Sequence, residues 1–337
     1  MATALFRADA SPEMGGGHVM RSLALAHALS GRGWDCAFAS VPGTEAVVPA
    51  LGKSKFPVHE TKGDPSDAAG LARATGGVDL LVVDHYRLDR EFETACRGWA
   101  ARIAAIDDLA NRTHDADFLV DPTPGRGERD YRGLVPEGCR VFLGPGYAPL
   151  RPEFADLGGS RDPDGDPAGR VFVGFGLLDS ADATGWVLEA FSETDPGFAL
   201  DVVLGRGAPH LDRVRALVDS LPGGGALHVE PENPAAVMAA ADIAIGASGS
   251  TSWERCALGL PSVVLVVADN QESIARALSQ EGAAGLLGRV GEVTPKSLRE
   301  AVSALLEDPE RRSAMTRAGR RVCDGRGAER IAEALSA

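Results

Sequence analysis

The chain has 337 residues, 44% hydrophobic and 24% charged, which excludes wholesale disorder and is long enough for two ordinary domains. Lysine and arginine number 34 against 48 acidic residues, a net charge of −14 that argues against nucleic acid or an anionic membrane surface as the main partner and leaves a local basic pocket as the place for an anionic small molecule. No apolar run approaches the ~18 residues that span a bilayer. The opening MATALFRADAS lacks a basic segment followed by a long apolar one, and Cys36, Cys96, Cys139, Cys256 and Cys323 are scattered without a CxxC. These features predict no membrane partner, no signal peptide, no disulfide framework and a reducing cytoplasm.

In chain order, short apolar or β-branched runs alternate with helical periods. Strands are predicted at Ala4–Arg7, Cys36–Ala39, Leu80–Asp84, Ile103–Ile106, Phe118–Val120 and Val141–Leu143, then at Val171–Phe175, Leu200–Leu204, Ala226–Val229, Ile243–Ile245 and Ser262–Val267. Several are apolar along their whole length, as strands buried on both faces of a parallel sheet read. Helices are predicted at His18–Ser30, Asp89–Ala100, Ala181–Phe191, His210–Ser220, Asn233–Ala240, Ser250–Leu258, Gln271–Glu281, Pro295–Glu307 and Pro309–Leu335. The alternation argues for α/β layers, two doubly wound Rossmann-like domains. The stretch 158–169, GGSRDPDGDPAG, buries no apolar face and reads as a linker between residues 1–157 and 170–337, with the last helix placed to cross back. Ligands of such two-domain chains are expected in the interdomain cleft.

The first candidate site follows the first strand. Arg7 closes that strand, and Met14-Gly15-Gly16-Gly17-His18 leads into a helix carrying Arg21. Glycines let backbone approach a ligand, and a helix start presents N–H groups and a partial positive charge. The pattern is neither GxGxxG nor a Walker loop. A helix N-terminus disfavours imidazolium, so His18 tends to stay neutral, the state a general base needs near pH 7. Arg21, one turn on, either binds an anion or is solvated. Asp84-His85-Tyr86 and Asp107-Asp108 also fall at carboxyl ends of predicted strands, where their carboxylates orient His18, accept from sugar hydroxyls, bind Mg²⁺ or only cap loops. His85 and His114 lack metal-ligand spacing, so no zinc site is expected.

The second half carries AIGASGSTSWERCALGLPSVVLVVADNQ. A strand enters a small-residue loop, a helix starts near Ser250–Thr251, and a second strand ends at Asp269-Asn270-Gln271. Ser248, Gly249, Ser250 and Thr251 offer backbone and hydroxyl donors at a helix N-terminus, a cradle for a diphosphate. Glu254, about one turn in, is suited to accept two hydrogen bonds from a vicinal diol such as ribose. Asn270 and Gln271 are suited to read amide or hydroxyl groups of a sugar.

Together, RADAS, GGGHVMR, DHY, IDDLANR, GPGYAPLRPEF and this last segment resemble the pseudaminic acid pathway hydrolases, over nearly the full chain and in the same order. Those enzymes remove UDP from UDP-2,4-diacetamido-2,4,6-trideoxy-β-L-altropyranose and are similar in fold to GT-B glycosyltransferases. The resemblance implies a GT-B architecture and a UDP-sugar as small-molecule partner. It implies His18 as the base that activates water, with inversion at the anomeric carbon. It places the Ser248–Thr251 backbone on the diphosphate, Glu254 on the ribose, and Asn270 and Gln271 by the sugar, with Tyr86 and Arg7 as further contacts. One base, one water and a stabilised leaving group suffice, so no metal and no cofactor is required. The chain departs from the family's GGSD-like turn at Gly174-Phe175-Gly176-Leu177-Leu178-Asp179, which bears on the sugar substituents accepted. Two other readings compete: a GT-B glycosyltransferase with a UDP-amino sugar donor, and a nucleotide-sugar binding protein without turnover.

Overall fold

A computed structural model describes residues 1–12, 14–61, 64–159, 169–193 and 195–337. The chain divides into two compact units, Met1–Arg151 with Arg326–Ala337, and Pro152–Gly325. Of the 158–169 stretch read as a linker, residues 160–168 lie outside the described residues. The division falls at Arg151, ahead of the helix that ends at Gly158.

The first unit runs β1 (Thr3–Ala8), α1 (Gly17–Ser30), β2 (Asp35–Ser40), α2 (Thr44–Val47), α3 (Pro49–Lys53), β3 (Val58–Glu60), α4 (Ala68–Thr75), β4 (Val78–Asp84), α5 (Arg90–Cys96), β5 (Ala100–Ile106), β6 (Phe118–Asp121) and β7 (Arg140–Leu143). Its strands form a parallel sheet in the order β3-β2-β1-β4-β5-β6-β7. The continuous apolar runs have a direct cause. Successive residues point to opposite faces, and both faces are covered. Phe6, Leu80, Val82, Ala104 and Ile106 join the core with Leu25 and Leu29 of α1. Leu5, Leu81, Val83, Ile103 and Ala105 join a second core with Leu71 of α4 and Phe92 of α5. The last helix of the chain, Gly327–Ser336, belongs to this unit: Ile331, Ala332 and Leu335 enter the first core, and Trp34 Nε1 donates to Ser336 Oγ at 2.9 Å.

The second unit runs α6 (Pro152–Gly158), β8 (Arg170–Gly174), α7 (Ala183–Ala190), β9 (Ala199–Leu204), α8 (Leu211–Asp219), β10 (Gly225–Val229), α9 (Pro234–Ala239), β11 (Ile243–Ala247), α10 (Thr251–Leu258), β12 (Ser262–Val266), α11 (Glu272–Gln280), β13 (Gly285–Arg289), α12 (Pro295–Glu307) and α13 (Pro309–Val322). Its sheet order is β10-β9-β8-β11-β12-β13, again parallel. Val171, Val173, Ile243, Ile245, Val263 and Leu265 pack with α7, α8 and α12 on one face. Each sheet reverses direction of winding between its first and fourth strands in local order, at β1/β4 and at β8/β11. In open α/β sheets that switch point, at the carboxyl ends, is where ligands bind.

Two predicted elements are corrected. The helix expected over Pro309–Leu335 is two helices, because Asp324 and Gly325 break it and Gly325 takes φ +80° against the backbone of Ala155. The helix expected over Asp89–Ala100 ends at Cys96, and Ala100 already opens β5. Among the described residues no helix is long and apolar enough to cross a membrane.

Candidate functional site

The switch point of the first sheet gathers most of the residues singled out there. Register pairs Ala8 of β1 with Asp84 of β4, so both strands end together and α1 starts over them. Gly16 is the N-cap of α1, without a side-chain cap. Of the three consecutive glycines, Gly15 is the one in the left-handed region, at φ +74°, where its N–H donates to Ser11 O at 2.8 Å and closes the turn. His18 follows in the first turn of α1 and is buried. Its ring meets Tyr86 edge to face, with centroids 4.5 Å apart and planes at 77°. Nδ1 of His18 is enclosed and has no hydrogen-bond partner among the described residues. Burial pulls its pKa below the usual histidine value; Asp84 opposes that shift and Arg21 reinforces it. The ring is therefore neutral at pH 7.

Arg21 does not stand open to an anion. Its guanidinium grips Asp84 bidentately, Nε and Nη2 each at 2.6 Å, and reaches Asp108 Oδ2 from Nη1 at 2.8 Å. The carboxylates therefore hold Arg21 rather than the imidazole. Tyr86 Oη stands 3.5 Å from Asp108 Oδ2 and completes the cluster; burial first, then Asp108, pushes its phenol up to about 12. The Asp108 side chain is 20% exposed, yet its Oδ1 is enclosed and has no hydrogen-bond partner among the described residues.

Arg7 is not brought to this cluster as a ligand contact. Its side chain is wholly buried, paired with Asp9 and donating to Ala39 O at 3.2 Å. Asp9 also faces His85 Nε2 at 3.4 Å, while His85 Nδ1 accepts from the Arg87 N–H at 3.0 Å. Asp9 is consequently held well below the usual carboxylate range despite its burial. These residues tie the β1 and β4 ends together from beneath. A hollow of about 370 Å³ lined by Thr3, Asp79, Arg97 and Trp99 lies at the opposite, amino-terminal end of the same strands, away from this chemistry.

Behind the cluster is a network that sequence reasoning missed. Asp107 caps the turn after β5, accepting from the Leu109 and Ala110 N–H groups at 3.2 and 3.0 Å. It also pairs with Arg112 and accepts from Tyr131 Oη, which donates as well to Asp121. His114 lies between Glu93, 2.8 Å from Nδ1, and Asp107, 3.7 Å from Nε2. Burial opposes its charge, but the Asp107 carboxylate facing Nε2 and the hydrogen bond to Glu93 outweigh it and raise its pKa to about 9. The ordinary unfolded value is ~6.5. Because the folded value is the higher one, the stabilisation from charged His114 is fully present below pH 6.5 and is lost as pH rises through about 9. The stability of the wild type against thermal unfolding is expected to fall across that window by on the order of 3 kcal/mol. A His114→Gln variant should lose that pH dependence; an unchanged slope would refute the assignment.

In the second unit the corresponding loop lies between β11 and α10. Ser248 is buried, its Oγ unpartnered, Gly249 is half-buried and Ser250 exposed. Ser250 is the N-cap of α10, with helical backbone angles and no side-chain cap, so the helix start keeps donors of its own. Thr251 and Glu254, both half-buried, lie in the first turn. Gln271 is brought to the same loop. Its Oε1 accepts from the Val267 N–H at 3.2 Å, and a methyl group added to Gly249 would stand 3.9 Å from its Nε2. Asn270 is exposed beside it in the single turn Asp269–Gln271. After β8, the departure at Leu177–Leu178 leaves a working turn: Gly176 takes φ +102°, and Asp179 accepts from the N–H groups of Ala183 and Thr184 at 3.1 and 2.7 Å.

Residues 231–333, which contain this loop, match the Glycosyltransferase family 28 C-terminal domain. Over the whole chain the structure is similar to that of MurG from Acinetobacter baumannii, with a TM-score of 0.66 at 16% identity, covering 100% of this chain and 99% of that one. This chain has the GT-B glycosyltransferase-like fold. Within that fold, its relatives differ in named activity. The UDP-2,4-diacetamido-2,4,6-trideoxy-beta-L-altropyranose hydrolase of Campylobacter jejuni is 26% identical over 280 residues, covering 82% of this chain and 96% of that protein. The UDP-N-acetylglucosamine--N-acetylmuramyl-(pentapeptide) pyrophosphoryl-undecaprenol N-acetylglucosamine transferase of Acidithiobacillus ferrooxidans is 27% identical over 352 residues, covering 95% of this chain and 94% of that protein.

Proposed function

We propose that this GT-B chain is an enzyme acting on a UDP-sugar, and that it hydrolyses a UDP-linked diacetamido-trideoxy sugar at the anomeric carbon with inversion. The observation that carries this reading is His18: a neutral imidazole in the first turn of α1, at the β1/β4 switch point, with an enclosed Nδ1 and Tyr86 against its ring. The likeness to the Campylobacter hydrolase along most of both chains supports the choice of water as acceptor. In the reaction, the oxygen of a water molecule bonds to the anomeric carbon as the carbon–oxygen bond to the β-phosphate breaks. The water proton passes to His18, and UDP leaves with the bonding electron pair. The loop Ser248–Thr251 holds the diphosphate and lowers the cost of its departing charge. Glu254 takes the ribose hydroxyls, and Gln271 and Asn270 face the sugar.

The deciding experiment incubates the full chain with the UDP-diacetamido-trideoxy-altrose in ¹⁸O water, with EDTA and without acceptor. Free sugar of inverted configuration, carrying ¹⁸O while UDP carries none, is the expected product. A second reading, transfer to an acceptor hydroxyl, is favoured by the family 28 match and by the similarity to the Acidithiobacillus transferase. Bound substrate without turnover would move the assignment there. Glu254→Ala is expected to weaken UDP binding by roughly 10- to 100-fold, the range for losing hydrogen bonds to a charged group, while UMP lacking both ribose hydroxyls binds wild type and variant alike. Calorimetry checks this; equal UDP affinity would remove Glu254 from the ribose.

A further inference from the structure

The β11–α10 segment contains a buried cation that neither the fold nor the reading above uses. Arg255 is 2% exposed, on the face of α10 turned into the second unit. It packs directly on β11: a methyl group added to Gly246 would stand 2.7 Å from Nη1 and 2.6 Å from the backbone oxygen of Gly174, so only glycine fits there. A buried arginine ordinarily has a carboxylate against it, as Arg21 and Arg7 do. Arg255 makes no ion pair among the described residues. Its guanidinium instead donates to three neutral oxygens: Nη2 to Ala247 O at 2.7 Å and Ser252 Oγ at 3.2 Å, and Nη1 to Thr251 Oγ1 at 3.3 Å.

Those three oxygens bracket the loop 248–251. A hydroxyl that accepts from a guanidinium keeps its own hydrogen to donate elsewhere. The carbonyl of Ala247, otherwise an acceptor beside the loop, is occupied from beneath. The arrangement takes acceptors out of the segment and leaves donors: the Thr251 hydroxyl, the uncapped start of α10, and the enclosed, unpartnered Oγ of Ser248. Burial lowers the pKa of Arg255 to about 10, so the cation persists at neutral pH.

We propose that Arg255 is a positioning residue that converts the loop 248–251 into an all-donor cradle for a diphosphate, supplying from beneath the positive charge that the bound anion completes. This rests on the reading that the second unit holds UDP. The guanidinium itself is covered and acts through Thr251, Ser252 and the Ala247 carbonyl. Low local dielectric strengthens its field at the loop and shields it from salt.

The test is calorimetry on the full chain with three probes: inorganic pyrophosphate, UDP and uridine. For Arg255→Met, UDP and pyrophosphate affinity are expected to fall about tenfold or more, as charge-assisted bonding is lost, with uridine affinity unchanged. Arg255→Lys should recover part of the pyrophosphate affinity, because it keeps the charge without the fork. A loss shared equally by uridine and UDP, or no change in any affinity, would overturn the proposal and leave Arg255 a packing residue. Should Arg255→Met not fold, Thr251→Val decides. It removes the hydroxyl that Arg255 orients, and pyrophosphate binding as tight as in wild type would overturn the proposal. Wild type that binds none of the three probes would instead sink the UDP reading, and this inference with it.

Discussion

Replacing His18 with alanine is expected to lower kcat by roughly 10²- to 10⁴-fold, the usual contribution of a positioned base, while the affinity for UDP stays at the wild-type value. The separation follows from where the groups lie. His18 belongs to the first unit, and the proposed UDP contacts, Ser248 to Thr251 and Glu254, belong to the second. Activity would be followed by release of free sugar and binding by calorimetry with UDP. His18→Asn keeps much of the side-chain shape and one polar group, yet has no basic nitrogen, so it should be as inactive as alanine. Full turnover by either variant would falsify the role of His18 as base.

The pH profile gives the same assignment an independent handle. Burial lowers the His18 pKa, so the ring stays neutral to a pH below the ordinary ~6.5. The acidic limb of kcat/KM should accordingly fall below 6.5. The same shift has a stability side with the opposite sign from His114. A folded pKa below the unfolded one means that acid favours the unfolded chain, so the His18 contribution is lost as pH drops below 6.5.

Which of these features were legible in the sequence follows from how local their causes are. The strands of both sheets read clearly because apolar runs such as Leu80–Val83 feed two cores at once. β3 and β13 did not: Val58–Glu60 is three residues at a sheet edge, and Gly285–Arg289 contains two glycines. The short helices α2 and α3, of four and five residues, lack the length for a period to show. His18 and the Ser248–Thr251 loop were visible because each is a contiguous strand–loop–helix signal. The partners of Arg21 were not, since Asp84 and Asp108 lie 63 and 87 positions away and meet it only through sheet order. One signal did exist for them: Asp84 and Asp107-Asp108 each follow an apolar strand and so share its carboxyl edge. Arg7 misled for a different reason. The resemblance implied it as a further ligand contact, but its side chain is wholly buried and paired with Asp9, two residues on.

The largest stability effect is expected from Arg21→Ala. The substitution leaves Asp84, 1% exposed, without its cation; among the described residues only the Ser22 Oγ side-chain bond remains, at 3.4 Å. Breaking one side of a buried pair costs about 3–5 kcal/mol, because the other charge stays desolvated. The unfolding temperature should therefore drop by on the order of 10 °C. Adding Asp84→Ala to the same chain removes the stranded charge and should return much of that loss, which a double-mutant cycle measures. Catalysis supplies a second readout. Arg21 depresses the His18 pKa while Asp84 raises it, so deleting Arg21 alone leaves the carboxylate unopposed. The His18 pKa then rises, and the acidic limb of kcat/KM moves to higher pH. In the double variant both influences are gone and the limb should move back. An arginine that merely glued β4 to α1 would change the unfolding temperature and leave that limb where it was.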